Sequence, residues 1–490
     1  MGQYNGDSHQ RDEEEVYDLI CVGFGPASLA IAIAIHEMLP ESSTRPKILF
    51  LERQQQFVWH SGMLLPGSKM QISFMKDLAT LRNPCSEFTF VNYLKVQDRL
   101  LGFINLGTFL PLREEYNDYM QWCASKFNDV VSYGETVKLV EPVVAQGSEK
   151  VNRFIVHSQV GGIEERRLAK HVVVAVGGRP LLPKPLPSYH PRIVHSSQYS
   201  SRVPQTLSDF NGAYRIAVVG AGQSAAEVFS DVSSKYPNSK TTLFIRGDAL
   251  KPSDDSPFVN EIFNPSATDK FFQTSPQERQ AQLVENRATN YSVVRLELIE
   301  RIYHDLYVQR LRDPSGSSWR LNIQSHTEIT GLNDATSDKQ VSLRMSHREN
   351  GVHTIENHEF DLVIVATGYA RDMHKELLAP TKVLLDDPTA ERFPVGRDYK
   401  VQFGEGKVGA EAGIYLQGCN EMTHGLSDTL LSVLAVRAGE VVDSIFKPTA
   451  NGHTNGHTNG HATTVQAKKV EPYSNGVRNG SGVSSNRYPH

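Results

Sequence analysis

The chain has 490 residues, with Lys+Arg 50 against Asp+Glu 55 and a formal net charge of -5; no basic excess exists to grip a phosphate backbone, which argues against nucleic-acid binding. Hydrophobic residues make up 39% and charged residues 21%, a globular balance, and the length allows about three domains at ~150 residues each. The four cysteines, Cys21, Cys85, Cys123 and Cys419, form no close pair, which excludes a disulfide scaffold, a Cys-x-x-Cys redox centre and a cysteine-rich zinc site.

Residues 1–14 are polar and acidic, lack the apolar core of a signal peptide, and read as disordered. Gly6 stands where a myristoylation signal wants Ser or Thr. No apolar run approaches the ~20 residues of a membrane span. The expectation is a soluble protein of a reducing, cytoplasmic compartment with no membrane partner.

From Tyr17 to Val22 a short apolar run meets a glycine turn, a long apolar helix pattern follows, and Lys47 to Arg53 is a second buried strand. This βαβ alternation argues for a parallel sheet with helices on both faces. In Gly23-x-Gly25-x-x-Ser28 the first glycine permits the tight turn. The second lets a pyrophosphate reach the backbone, and the helix N–H groups meet its charge. Ser28 replaces the usual Gly or Ala. Glu52 ends the next strand, where a carboxylate can accept from ribose hydroxyls.

After a strand and glycine turn at His171 to Pro180, the arrangement returns with Gly220-x-Gly222-x-x-Ala225, about 200 residues later. Here the following strand ends in Arg246, whose planar fork of donors suits the 2'-phosphate of NADP. A further strand runs from Asp361 to a turn at Thr367-Gly368, and Gly413 to Gly418 is the last strand. The closing helix pattern starts at Gly425-Leu426-Ser427-Asp428, where its positive end would face a ring that becomes anionic on reduction. From Pro448 the NGHT repeats read as a disordered tail, in which His453, His457 and His461 are better explained by repeat expansion than by a metal site.

The fold class expected is α/β, with two Rossmann-like dinucleotide-binding domains and a small, mainly helical substrate-binding portion. The domains are set at 15–205 with 361–447 for FAD and 206–360 for NADPH, the latter including a substrate segment at about 255–320. Such pairing is used by flavin enzymes that take hydride from NADPH. Disulfide reductases share the layout but need a cysteine pair. Ketone and dimethylaniline-type oxygenases carry Phe-x-Gly-x-x-x-His, whereas Phe210-Asn211-Gly212 is followed by Ile216 at the His position.

GFGPASLA, KMQISFMKDLATLRNP, VVGAGQSAAE, DDSPFVNEIFNP, ATNYSVV, DLVIVATGY and THGLSDTLLSVLAVR, in that order over roughly Tyr17 to Phe446, resemble the fungal L-ornithine N5-monooxygenases of siderophore biosynthesis. The resemblance implies that NADPH reduces bound FAD and that molecular oxygen is activated as a flavin hydroperoxide, which hydroxylates the side-chain amine of L-ornithine. It also implies a homotetramer. Carried over residue by residue, Lys76 would bind the substrate carboxylate, Asn260 and Asn290 would hold the amino-acid backbone and orient the side-chain amine, and Ser432 would lie beside the substrate. Met70 and Gln71 would lie against the flavin with Trp59 and His60 nearby. Gln223 and Ser224 would contact NADP. Thr367, Gly368 and Asp428 join the cofactor set, and no metal is expected. The attacking amine must be neutral although a free alkylammonium has a pKa near ~10.4, so the site must desolvate it or take its proton. No residue is nominated as a general base. Lysine differs from ornithine by one methylene, so the residues alone leave a lysine or other primary-amine hydroxylase open, as well as a non-catalytic flavin- or NADP-binding protein.

Overall fold

The computed structural model describes residues 15–39, 45–144, 147, 149–333, 336–349 and 351–447; the expected disordered ends and the histidine repeats lie outside them. The chain opens with β1 (Val16–Val22), α1 (Pro26–Met38) and β2 (Ile48–Glu52), followed after a long loop by α2 (Phe90–Val96), α3 (Leu100–Asn105) and α4 (Arg113–Ala124). Strands β3 (Val131–Tyr133), β4 (Glu135–Val144), β5 (Val151–Val160) and β6 (Ile163–Val174) follow, then β7 (Arg179–Pro180), β8 (Ile193–His195) and α5 (Tyr199–Thr206). The second glycine turn joins β9 (Arg215–Val219) to α6 (Gln223–Lys235), with β10 (Lys240–Phe244) and β11 (Lys251–Pro252) after it. A helical stretch holds α7 (Pro257–Asn260), α8 (Pro265–Gln273) and α9 (Pro276–Asn290); β12 (Val293–Val294) separates it from α10 (Leu296–Arg312). The chain continues with β13 (Leu321–Gln324), β14 (Thr327–Leu332), β15 (Val341–Glu349), β16 (Val352–Phe360), β17 (Leu362–Val365) and β18 (Tyr369–Ala370). It closes with α11 (Met373–Leu377), β19 (Gly413–Leu416), α12 (Glu421–His424) and α13 (Leu434–Phe446).

The first sheet has the order β3-β2-β1-β6-β5-β4, with β19 also on β6. β6 is long enough to serve twice: residues 163–169 pair antiparallel with β5, and residues 171–174 pair parallel with β19. Alternation along β1 sorts its side chains to two cores. Leu19 and Cys21 join α1, α13 and the aromatic residues of α2 and α4, while Ile20 and Val22 pack with Leu378, Leu385 and Leu416.

The second sheet, β13-β10-β9-β17-β8, is parallel throughout. Here the expected boundaries need correction. The strand that was expected to return to the first domain at 361–447 is β17, which sits between β9 and β8 in the second sheet; β8, assigned before residue 206 to the first domain, is that sheet's edge. The physical reason is burial on both faces. Leu362 and Ile364 pack with Ile216 and Val218, and Val363 and Val365 pack with Ala217 and Leu343. The passages between the sheets on either side of this insertion, β7 and β18, pair with each other, Pro180 opposite Tyr369 and Arg179 opposite Ala370. The helical portion expected at about 255–320 is α7 to α10. Among the described residues no helix is long and apolar enough to cross a membrane.

Candidate active site

At the first turn Gly23 has φ +91, and a Cβ there would come 2.7 Å from the Ala175 carbonyl oxygen, so the position demands glycine. Gly25 is the extended N-cap of α1, no side chain caps the helix, and a Cβ at Gly25 would meet nothing within 4 Å. Backbone and open space are thus offered together, which suits an approaching pyrophosphate. Glu52 is buried at the end of β2; one carboxylate oxygen accepts from the Phe24 N–H at 2.7 Å and the other from the Gln54 N–H at 2.8 Å. The carboxylate therefore braces the turn while each oxygen keeps a second lone pair for a ribose hydroxyl. Ser28 is fully buried in the first turn of α1.

At the second turn a Cβ on Gly220, whose φ is +143, would come 2.5 Å from the Ala366 oxygen, and Gly222 caps α6 without a side-chain partner. Gln223 is held differently from the expectation. Its amide nitrogen donates to Glu227 Oε1 at 2.7 Å and its oxygen accepts from the Arg295 N–H at 2.9 Å, so its side chain fixes neighbouring protein before it can serve a cofactor. Ser224 is half-buried, and Arg246 is exposed just beyond β10. Thr367 and Gly368 follow β17 and so belong to the second sheet's turn. The Thr367 hydroxyl donates to the Leu181 carbonyl, and the Gly368 carbonyl accepts from the Leu181 N–H and faces His195 Nε2, both at 3.0 Å.

Trp59 packs against the first core and lies beside His60. Their rings stand 4.9 Å apart, and His60 lies 6.1 Å from the Tyr369 ring. His60 is solvent-accessible yet surrounded by protein; desolvation first, then Arg113 and Arg371, lower its pKa. Met70 is packed in the first core, with its N–H on the Pro111 carbonyl, whereas Gln71 is exposed.

Lys76 is half-buried; desolvation lowers its pKa, and its ammonium has no hydrogen-bond or ion-pair partner among the described residues. The adjoining Asp77 instead turns inward to accept from the N–H groups of Ala79, Thr80 and Phe90. Asn260 is exposed at the end of α7 and donates to the Asp255 carbonyl at 2.9 Å. Asn290 ends α9, and the next residue, Tyr291, donates to Glu421 at 2.5 Å. Ser432 lies eleven residues after Glu421, buried, its hydroxyl without a hydrogen-bond partner. The fold therefore draws Asn290 towards the 421–432 segment. Six residues after Lys76, Arg82 donates to the Ala435 carbonyl at 2.9 Å.

The start of the closing helix differs from the expected Gly425–Asp428. The closing helix begins at Leu434, and residues 426–429 and 431–433 form two short 3-10 turns before it. The buried Asp428 carboxylate accepts from the Asn420 N–H at 2.7 Å and from Arg437 at 3.1 Å, which ties it to the segments on either side of it. The sequence reading also passed over Arg113, Glu227 and Arg295. Arg113 and Glu227 sit on polar helix faces like any surface ion, and only their pairing across the fold marks them.

The uncapped helix ends, the open space at Gly25 and the free lone pairs of Glu52 fit an adenine dinucleotide at the first turn. The similar turn ahead of Arg246 fits a phosphorylated one. This is the fold and site of a two-dinucleotide oxidoreductase. The chain belongs to the L-lysine 6-monooxygenase/L-ornithine 5-monooxygenase family, whose model matches residues 15–371. It is 76% identical over 490 residues, all of both chains, to an L-ornithine N(5)-oxygenase of Arthrobotrys oligospora. It is also 52% identical over 450 residues to an L-ornithine N(5)-monooxygenase of Emericella nidulans, covering 88% of this chain and 90% of that one. Among solved structures, the ornithine hydroxylase of Pseudomonas aeruginosa matches with a TM-score of 0.79 at 40% identity, covering 88% of this chain and 99% of that one. The Kutzneria sp. 744 ornithine N-hydroxylase, solved with reduced FAD, NADP+ and L-ornithine, matches with a TM-score of 0.77 at 34% identity over the same shares.

Proposed function

We propose that the protein is an FAD- and NADPH-dependent monooxygenase that hydroxylates the side-chain amine of L-ornithine. The products are N5-hydroxyornithine, NADP+ and water, the first step towards a hydroxamate siderophore. The observation that carries the reading is Lys76, a half-buried ammonium without an anionic partner among the described residues, in a chain 76% identical to an ornithine oxygenase. A substrate carboxylate supplies the missing charge.

When bound, FAD reduced by NADPH supplies the activation of molecular oxygen. The protein's part is binding and protonation control. Gly23, Gly25, Ser28 and Glu52 would hold FAD; Gly220, Gly222, Ser224 and Arg246 would hold NADPH; Gln71 and His60 would line the cleft between them. Asn260 and Asn290 would hold the amino-acid backbone, with the Ser432 hydroxyl free to bond the side chain. The amine must reach the reaction neutral. Glu421 already accepts from Tyr291 and Asp428 from Arg437, so neither acid is free to pin the amine as an ammonium. We place the enzyme in the cytoplasm as a homo-oligomer. Leu101, Ile104, Leu106 and Phe109, between 60% and 72% exposed, support a partnered face.

The test is NADPH oxidation by the FAD-loaded protein together with a hydroxylamine assay, using L-ornithine and L-lysine in parallel. Hydroxylamine from ornithine at a clearly higher kcat/KM supports the reading. Hydroxylamine from lysine alone, or equal peroxide production with and without amine, overturns it.

A further inference from the structure

The second glycine turn is touched by a segment that also carries the two asparagines of the amine site. After Asn290 and Tyr291 the chain turns at Ser292, which has a left-handed φ of 61. Ser292 passes so close to the turn that a Cβ on Gly222 would lie 3.7 Å from its Cα. Val293–Val294 then pair in parallel with Lys251–Pro252, and the Ser253 N–H donates to the Val294 carbonyl at 2.9 Å. The two strands of this small ribbon lead to Asn260 on one side and away from Asn290 on the other. At its end, Arg295 is bonded in both directions. Its N–H donates to the Gln223 oxygen at 2.9 Å, and its guanidinium donates to Asp255 at 2.8 Å, whose carbonyl holds Asn260. Gln223 is in turn anchored on the buried Glu227.

We infer that Arg295 is a positioning residue that couples the NADP turn to the amine-binding asparagines, its backbone N–H holding the ribbon against the first residue of α6. The inference rests on the function proposed above. It has a physical basis because the same short segment is strained at Ser292, bonded at Arg295 and in contact at Gly222. A shift of the turn on nucleotide binding is therefore passed to Asn260 and Asn290 through bonds rather than through loose packing. By linkage, whatever NADP+ does to ornithine affinity, ornithine does to NADP+ affinity by the same factor.

Two variants separate the roles of Arg295. Arg295→Ala removes the guanidinium and keeps the N–H; Arg295→Pro removes both, and the native φ of -55 already suits proline. In FAD-loaded protein, equilibrium binding of NADP+ and of L-ornithine is measured separately and then each in the presence of the other. The expected result is that the proline variant binds both ligands roughly three- to ten-fold more weakly than the alanine variant, the range of one lost hydrogen bond. The factor linking the two ligands should also move towards one. Gln223→Leu, which breaks the same bond from its other side, should weaken ornithine binding to nucleotide-free enzyme as well. A residue that only touches NADP would leave that last measurement unchanged. Proline and alanine variants with equal affinities, or a loss confined to one ligand in both Arg295→Pro and Gln223→Leu, overturn the inference. Failure of the wild type to bind ornithine would instead overturn the substrate assignment.

Discussion

The guanidinium of Arg113, first residue of α4, meets the carboxylate of Glu227, on α6, through two hydrogen bonds of 2.7 Å each, with side-chain exposures of 12% and 8%. This bidentate pair joins the helix layer of the first sheet to the helix that follows the second glycine turn. Removing one partner leaves a buried charge. Glu227→Ala is expected to destabilise the FAD-loaded protein by about 3–5 kcal/mol, with Arg113→Met/Glu227→Met recovering most of the loss. Denaturant midpoints of the single and double variants check this; a double variant as unstable as the single would contradict it.

Gly25 differs from Gly23 in having open space beside it and an ordinary extended backbone. Gly25→Ala is therefore expected to fold normally, yet to weaken FAD binding by roughly tenfold or more because its methyl occupies the approach to the backbone. Thermal melts of the flavin-free protein and flavin titration together decide it, and retained FAD affinity would count against the first turn as the cradle.

For Lys76→Met, loss of one charge-assisted contact predicts a rise of roughly 10- to 100-fold in KM for L-ornithine, larger than any fall in kcat. Steady-state kinetics over a wide ornithine range measure the split. An unchanged KM would return Lys76 to the role of a surface cation.

Arg246 stands exposed at the end of β10. Arg246→Ala is expected to lower the preference for NADPH over NADH by roughly 10- to 100-fold, since only NADPH carries the phosphate that the guanidinium would grip. The ratio of kcat/KM values for the two coenzymes is the measurement.

His171, His374 and His424 are buried, and desolvation, the largest cause in each case, lowers their pKa values to about 4. Their unfolded value is near ~6.5, so the unfolded chain binds more protons between those limits. Stability is then fully present above about pH 6.5 and is lost as pH falls towards 4, on the order of 3 kcal/mol for each histidine. Urea midpoints between pH 7 and pH 4 should fall steeply, and His374→Gln should flatten the curve; an unchanged slope in that variant would refute its share.

The local units were legible in the sequence because their signals are local. The strand, glycine turn and helix around Gly23 and Gly220 are written in consecutive residues, and Glu52 and Arg246 follow from counting to the next strand. What could not be read is where a strand inserts. LVIV at residues 362–365 has the same apolar profile in either sheet, and only its neighbours Ile216 and Ile193 place it. The closing helix was drawn too early because the apolar pattern continues through Leu426, Leu430 and Leu431. In the fold that stretch forms short turns instead, and Arg437 of the helix donates back to Asp428. Gln223 looked free for a ligand because nothing in its own helix reveals that Arg295 comes to it from seventy-two residues away.

The pairing of β7 with β18 brings the two ends of the second nucleotide unit together. Both of its ends leave the first sheet side by side, so residues 181–368 begin and finish about one strand spacing apart, roughly 5 Å. That segment is a cassette by geometry. It can be exchanged for a relative's that keeps a partner for Arg113 without stretching either attachment, whereas a cut at residues 206 and 360 would strip β9 of its neighbour and leave a bare apolar edge.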